Sequence, residues 1–167
     1  SNLFASMMNV QERPLQDGFV LMPMAGLGSR FKDRGFEISK PLIPVSGNAM
    51  AVAALNSLPS APQERFVLRA DFSELDQLKS SMTQAAVNPS FIVLNENTDG
   101  QATTCLLGAK DIDPSNTLTI GACDNGLIYK AKDFELLMSD ESVDVIVWTA
   151  RGYPGAERRP EMYGWVQ

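Results

Sequence analysis

Short apolar runs recur along the chain, each closed by glycine, proline or polar residues. Phe19-Val-Leu-Met22, Phe66-Val-Leu68, Phe91-Ile-Val-Leu94, Thr117 to Ile120 and Val143 to Trp148 are such runs, and their length predicts buried strands. The stretches between them change period. Ala49 to Leu58 is alanine-rich and reads as a helix stopped by Pro59. Ser73 and Asp76 match a capping box, and Leu75, Leu78 and Met82 then recur at helical spacing. Gln101 to Ala109 and Phe134 to Met138 read as two further helices. Lys40 to Val45 is expected to be extended, because the residue before Pro41 is pushed out of the α region. Strands alternating with helices predict an α/β fold with a mostly parallel sheet, whose ligands sit beyond the carboxyl ends of the strands.

The flanks are less regular. Residues 1–16 are polar and read as a flexible lead-in, leaving residues 17–167 as one domain. Ser1-Asn2 without a starting methionine is expected to be a tag remnant. Arg151 to Glu161 reads as a charged Pro/Gly loop. Tyr163-Gly-Trp-Val166 looks like the start of another strand, so the sequence is expected to be truncated at its C-terminal end.

Composition narrows the partners. With 14 Lys and Arg against 20 Asp and Glu, the net charge of −6 disfavours a nucleic-acid backbone. A small anionic ligand stays compatible, because a few local cations can override the net field. No run approaches the roughly 18 apolar residues of a membrane span, and no signal peptide is visible. Cys105 and Cys123 are expected to be reduced core residues of a cytoplasmic protein. The absence of histidine excludes every mechanism built on a histidine base or ligand. The sequence leaves the oligomeric state open, a homo-oligomer included.

Two segments near the first strand carry candidate chemistry. Pro23-Met-Ala-Gly-Leu-Gly-Ser-Arg30 follows that strand directly. Its glycines allow close ligand approach, successive amides can cradle an anion, and Arg30 adds a fork of donors suited to phosphate. A plain strand-to-loop turn would use the same glycines. A dinucleotide fingerprint would need a glycine where Phe31 stands, and no Walker lysine motif occurs. In Ser39-Lys-Pro-Leu-Ile-Pro-Val45, Pro41 would hold Lys40 in one direction, although a solvated loop lysine is the commoner case.

Taken together, Ala-Gly-x-Gly-Ser-Arg followed by Lys-Pro-x-x-Pro-Val resembles the signature of the sugar-phosphate nucleotidyltransferases, in particular the bacterial glucose-1-phosphate uridylyltransferase version. The resemblance implies a Rossmann-like domain of the glycosyltransferase-A type. It implies that Met24, Ala25, Gly26, Leu27, Gly28 and Ser29 bind nucleotide while Arg30 and Lys40 act on the reacting phosphates. The family's base-binding segment matches Thr98-Asp-Gly-Gln-Ala102, so Gly100 and Gln101 are carried over; a helix cap would also explain that segment. Its Mg²⁺ carboxylate matches Asp124 in Ile120-Gly-Ala-Cys-Asp-Asn-Gly126, which would otherwise read as an Asp-Asn-Gly turn. A second metal carboxylate is not assignable.

The activity so implied is transfer of a nucleotidyl group from a nucleoside triphosphate to a sugar 1-phosphate or similar phosphorylated alcohol, with release of pyrophosphate, in nucleotide-sugar or surface-polysaccharide synthesis. The sequence as it stands is expected to be inactive or weakly active. A glycosyltransferase of the same fold and a non-catalytic nucleotide-binding module are the rivals. Asp111-Ile-Asp113 has the spacing of a glycosyltransferase metal motif but reads as a surface turn before the fourth strand.

Overall fold

In the computed structural model, which describes residues 13–26, 38–158, 160–162 and 164–166, Val20, Leu21 and Met22 are fully buried at the centre of a parallel sheet. Their strand, β1 (Phe19–Pro23), is flanked on one side by β4 (Gln63–Arg69) and on the other by β6 (Leu118–Ile120). Beyond β4 lies β5 (Pro89–Leu94), giving the order β5-β4-β1-β6 with every pair parallel. A strand paired on both edges and covered on both faces has no position where a polar side chain reaches water. That accounts for the unbroken apolar run that marked β1.

Alternate residues of β1 feed two cores. Val20 and Met22 join Phe66, Leu68, Leu78 and Met82 in the larger one. It is roofed by α1 (Met50–Asn56) and α2 (Leu75–Ala85). Leu21 joins Val67 and Ala25 on the opposite face, beneath α3 (Gln101–Ala109). Gly108 lets α3 approach closely: a Cβ there would lie 2.7 Å from Val67 and 2.8 Å from Leu21. The result is an α/β fold with helices on both faces of the sheet. Among the described residues no helix is long and apolar enough to cross a membrane.

The strand order creates a switch point. From β1 the chain steps outward to β4 and β5, then returns to the other side of β1 as β6. The carboxyl ends of β1 and β6 flank that reversal, and the crevice outside such ends is the usual ligand position in sheets of this kind.

Several expectations are corrected. Lys40–Leu42 forms a single 3-10 turn instead of an extended strand start. A proline in the first turn of a helix forfeits only an N–H that has no helical partner, so Pro41 is tolerated there. Pro44–Val45 (β2) then pairs antiparallel with Asn48–Ala49 (β3) around Ser46 and Gly47, whose φ angles of 50° and 87° suit a two-residue hairpin turn. The Ser73 and Asp76 capping box does not form. Glu74 is the N-cap of α2 without a side-chain cap, and Ser73 donates to the Glu74 carboxylate instead.

Val143 to Trp148 is not a strand, and Val145 and Val147 are exposed. Among the described residues no strand pairs with it; its tryptophan stacks 5.7 Å from Phe134 and lies 4.6 Å from Tyr129. Phe134 belongs to α4 (Ala131–Met138). The charged loop at 151–161 contains a short helix, α5 (Pro154–Arg158), and residues 164–166 form no strand.

Arg13 to Gln16, within the segment read as lead-in, are packed against the domain. Arg13 donates to the Leu58 and Pro59 carbonyls at 2.9 and 3.0 Å and pairs with the fully buried Glu64 at 2.5 Å. Gln16 is buried and accepts a hydrogen bond from Thr119 on β6 at 2.7 Å.

Candidate functional site

The crevice is lined from three directions. Leaving β1, Met24 extends the sheet by donating its N–H to the Val67 carbonyl at 2.8 Å, and Ala25 is buried against the smaller core. Gly26 then emerges to solvent. Its φ is not left-handed, and among the described residues a Cβ built on it would meet nothing within 4 Å. Leu27, Gly28, Ser29 and Arg30 lie outside the described residues.

Leaving β6, the Gly121 N–H donates to the Leu21 carbonyl at 3.1 Å, so the chain stays against β1 for one more residue. A Cβ on Gly121 would fall 2.2 Å from Leu58, which explains the glycine by packing. Cys123 packs into the larger core, where burial first and the Asp124 charge second push its thiol up to about 11. It is a protonated anchor at neutral pH. Asp124 follows it, one-third exposed.

Lys40 closes the arrangement. Its 3-10 turn is pinned by burial of Pro41 and Leu42 and by Ser39, whose hydroxyl donates to the Glu74 carboxylate at 2.5 Å. That bond, with the one from Ser73, holds the Glu74 carboxyl below its ordinary value. From this turn Lys40 donates from Nζ to the Asp124 carboxylate. Two residues singled out separately in the sequence thus meet at the switch point. Glu74 was not foreseen; an acid at a helix start leaves no signal that it will hold a serine 35 residues earlier.

Gly100 and Gln101 lie elsewhere on the same edge, after β5. Gly100 takes φ 156° and ψ −177°, a conformation open essentially to glycine alone. Its carbonyl accepts from the Thr98 and Thr104 hydroxyls at 3.0 and 3.1 Å. Neither Thr98 nor Asp99 caps α3 with its side chain; Gly100 is itself the N-cap. Gln101 is exposed at the start of α3, beside an open depression lined by Asn95, Glu96, Thr98, Asp99 and Thr103. With strands about 4.8 Å apart, β5 and β1 are separated by about 10 Å.

Asp111 and Asp113 do not form a metal motif. They lie before β6, at the opposite edge of the sheet from the crevice. Asp111 pairs with Arg65, which lowers its pKa, and Asp113 accepts from the backbone and hydroxyl of Ser115. Among the described residues no group of three or more His, Cys, Asp or Glu side chains is gathered to hold a metal. Asp124 is a single carboxylate already facing a cation. That fits Mg²⁺ only in the manner in which this ion commonly binds, through one or two carboxylates with phosphates and water supplying the rest.

No family model matches the chain, and no curated protein does. Solved structures do. The nucleoside-diphosphate-sugar pyrophosphorylase of Vibrio cholerae RC9 superposes with a TM-score of 0.56 at 20% identity, over 70% of this chain and 52% of its own. The 4-diphosphocytidyl-2C-methyl-D-erythritol synthase of Anaerococcus prevotii does so with a TM-score of 0.50 at 14% identity, over 81% of this chain and 54% of its own. The chain thus spans about half the length of each neighbour. What it shares with them is the fold: an α/β domain with a four-stranded parallel sheet flanked by helices.

Proposed function

We propose that the chain carries the nucleotide-binding part of a nucleotidyltransferase acting on a sugar 1-phosphate or a similar phosphorylated alcohol. The observation that carries this reading is the pairing of Lys40 with Asp124 at the switch point, with the exposed Gly26 leaving the end of β1. A cation, a carboxylate and an open glycine at the carboxyl ends of adjacent strands suit the phosphates of a triphosphate. Gly100 and Gln101, two strands away on the same edge, are assigned the base.

In the reaction, an acceptor phosphate oxygen attacks the α-phosphorus. The bond from that phosphorus to the bridging oxygen breaks, and pyrophosphate leaves. Such chemistry needs positioning and charge neutralisation rather than a histidine base. Lys40, turned from Asp124 onto the phosphates, neutralises charge developing there, and Arg30 is assigned the same task. Met24 to Ser29 wrap the triphosphate, and Gln101 reads the base through its amide. Asp124, released by Lys40, is the carboxylate for Mg²⁺, which when bound supplies charge neutralisation across the phosphates. Nucleotide-sugar or surface-polysaccharide synthesis in the cytoplasm is the setting such an activity would serve.

The test is pyrophosphate release from four nucleoside triphosphates against a panel of sugar 1-phosphates with Mg²⁺, beside calorimetric binding. Release dependent on both substrates supports the reading. In the full-length protein, triphosphate binding without release with any acceptor overturns it in favour of a non-catalytic nucleotide-binding module.

A further inference from the structure

Arg69 ends β4 and is buried, with 8% of its surface exposed, although it sits at the ligand edge of the sheet. Burying a guanidinium is unfavourable unless its donors are satisfied. Here they are shared between two loops. Nε donates to Asp71 Oδ1 at 2.8 Å, and Nη2 donates to Asp71 Oδ2. Nη1 donates to Asn97 Oδ1, in the connection that follows β5.

Asn97 leads directly into the base-reading candidates. It lines the depression beside α3 together with Thr98 and Asp99. The next residue, Thr98, donates to the Gly100 carbonyl, and Gly100 carries the conformation that presents Gln101. Two hydrogen bonds and two peptide links therefore run from the buried end of β4 to the exposed start of α3. We propose that Arg69 is a positioning residue that sets nucleobase selectivity, by clamping the Asn97–Gln101 loop through Asn97. This rests on the nucleotide-binding reading above. Arg69 itself touches no substrate in this arrangement.

Guanidinium geometry is essential to the idea. A planar fork can hold Asp71 at two points while a third donor reaches Asn97, whereas a lysine ammonium is a single flexible point. The test is calorimetry of ATP, GTP, CTP and UTP on the wild-type chain, Arg69→Lys and Asn97→Ala. Inorganic tripolyphosphate serves as a probe without a base. Asn97 is exposed, so its variant does not endanger folding.

The wild type is expected to rank the four triphosphates. Both variants are expected to weaken the favoured one by about tenfold, the scale of one lost charge-assisted hydrogen bond, and to compress the ranking. Tripolyphosphate affinity should stay within about twofold, since no phosphate contact has changed. Variants that keep the wild-type ranking overturn the proposal. Parallel loss of tripolyphosphate and triphosphate binding also overturns it, because Arg69 would then be merely structural. A wild type that binds no triphosphate removes the nucleotide reading and this proposal together. If the full-length protein ranks triphosphates but releases no pyrophosphate, only the catalytic reading is removed, and the clamp stands on the variants' rankings.

Discussion

Lys40 and Asp124, 84 residues apart in sequence, form an ion pair with both side chains part-exposed at the carboxyl edge of the sheet. At 26% and 32% side-chain exposure the pair is screened by water, and such pairs contribute about 0–1 kcal/mol to stability. Its place at the switch point, rather than its strength, gives it meaning. Lys40→Ala should therefore leave thermal stability almost unchanged. In the full-length protein it should lower pyrophosphate release about a hundredfold or more, the usual effect of losing one transition-state charge contact. Arg30→Ala is expected to do the same. Unaltered kcat/KM in both variants would remove the phosphates from this part of the crevice.

The pair also predicts how Mg²⁺ acts. While Lys40 holds Asp124, an incoming Mg²⁺ competes with it; a triphosphate offers Lys40 a second anion and relieves that competition. Mg²⁺ alone is expected to bind the chain weakly, and more tightly in the presence of a triphosphate. Asp124→Asn should abolish that coupling while retaining metal-free triphosphate binding, since the amide leaves Lys40 available to phosphate. Titration calorimetry with and without nucleotide measures both arms. Equal Mg²⁺ affinity in wild type and Asp124→Asn would take the metal away from Asp124.

The base-reading segment can be probed at adjacent positions. Gly100→Ala introduces a side chain at a φ of 156°, with about 1–3 kcal/mol of strain, although no neighbour lies within 4 Å of the new Cβ. It should reduce affinity for every triphosphate by moving the loop. Gln101→Ala leaves the backbone alone and removes one base-edge contact worth on the order of 1 kcal/mol. It should reorder the triphosphates and leave the sugar phosphates as they were. An unchanged nucleotide ranking would reduce Gln101 to the first residue of α3.

Much of this frame was legible from one chain because burial leaves a periodic trace. Phe19 to Met22 and Phe91 to Leu94 are apolar wherever neighbours cover both faces, and α3 runs from Gln101 to Ala109 as its spacing implied. The same trace misleads at Val143 to Trp148, since hydrophobicity says that a segment wants cover but not whether a strand stands beside it to pair. Lys40 and Asp124 were visible by resemblance to a motif. Their meeting was not, nor were Ser39 with Glu74 and Arg69 with Asn97, because isolated polar pairs distant in sequence have no period. An arginine closing the apolar run Phe66-Val-Leu-Arg69 was the one available hint of the last.

Arg13 and Glu64 supply a stability prediction independent of function. Glu64 is fully buried, accepts from Arg13 at 2.5 Å and from the Val87 N–H at 3.0 Å. Arg13→Met strands that carboxylate and should destabilise the fold by about 3–5 kcal/mol. For a chain of this size that is a fall of roughly 6–20 °C in Tm. Adding Glu64→Gln removes the buried charge while keeping an acceptor for Val87, and should recover more than half of the loss. Calorimetric melting of the three proteins decides it; a single variant that melts with the wild type would mean that the N-terminal segment is not fastened there.

Glu74 predicts how stability responds to acid. Hydrogen bonds from Ser39 first and Ser73 second favour its ionised form, so its folded pKa lies below the ordinary value of 4.5. A carboxyl depressed on folding binds fewer protons folded than unfolded in the interval between the two values, so stability falls as pH drops through that interval. The contribution is complete above about pH 5 and gone once pH lies below the folded pKa. Glu74→Gln cannot ionise and should lack this step. Wild type should therefore exceed the variant in Tm at pH 6, and the gap should close on acidification below pH 4.5. Ser39→Ala removes the largest cause of the depression and should shrink the gap from the other side. Because Ser39 adjoins Lys40, the same variant should also loosen the turn that aims Lys40 at Asp124, raising KM for triphosphate at neutral pH, where Glu74 is ionised in every protein that retains it. If Tm of wild type and Glu74→Gln ran parallel from pH 6 to 3, the Ser39–Glu74 bond would not be present in solution, and another contact would have to hold the Lys40 turn.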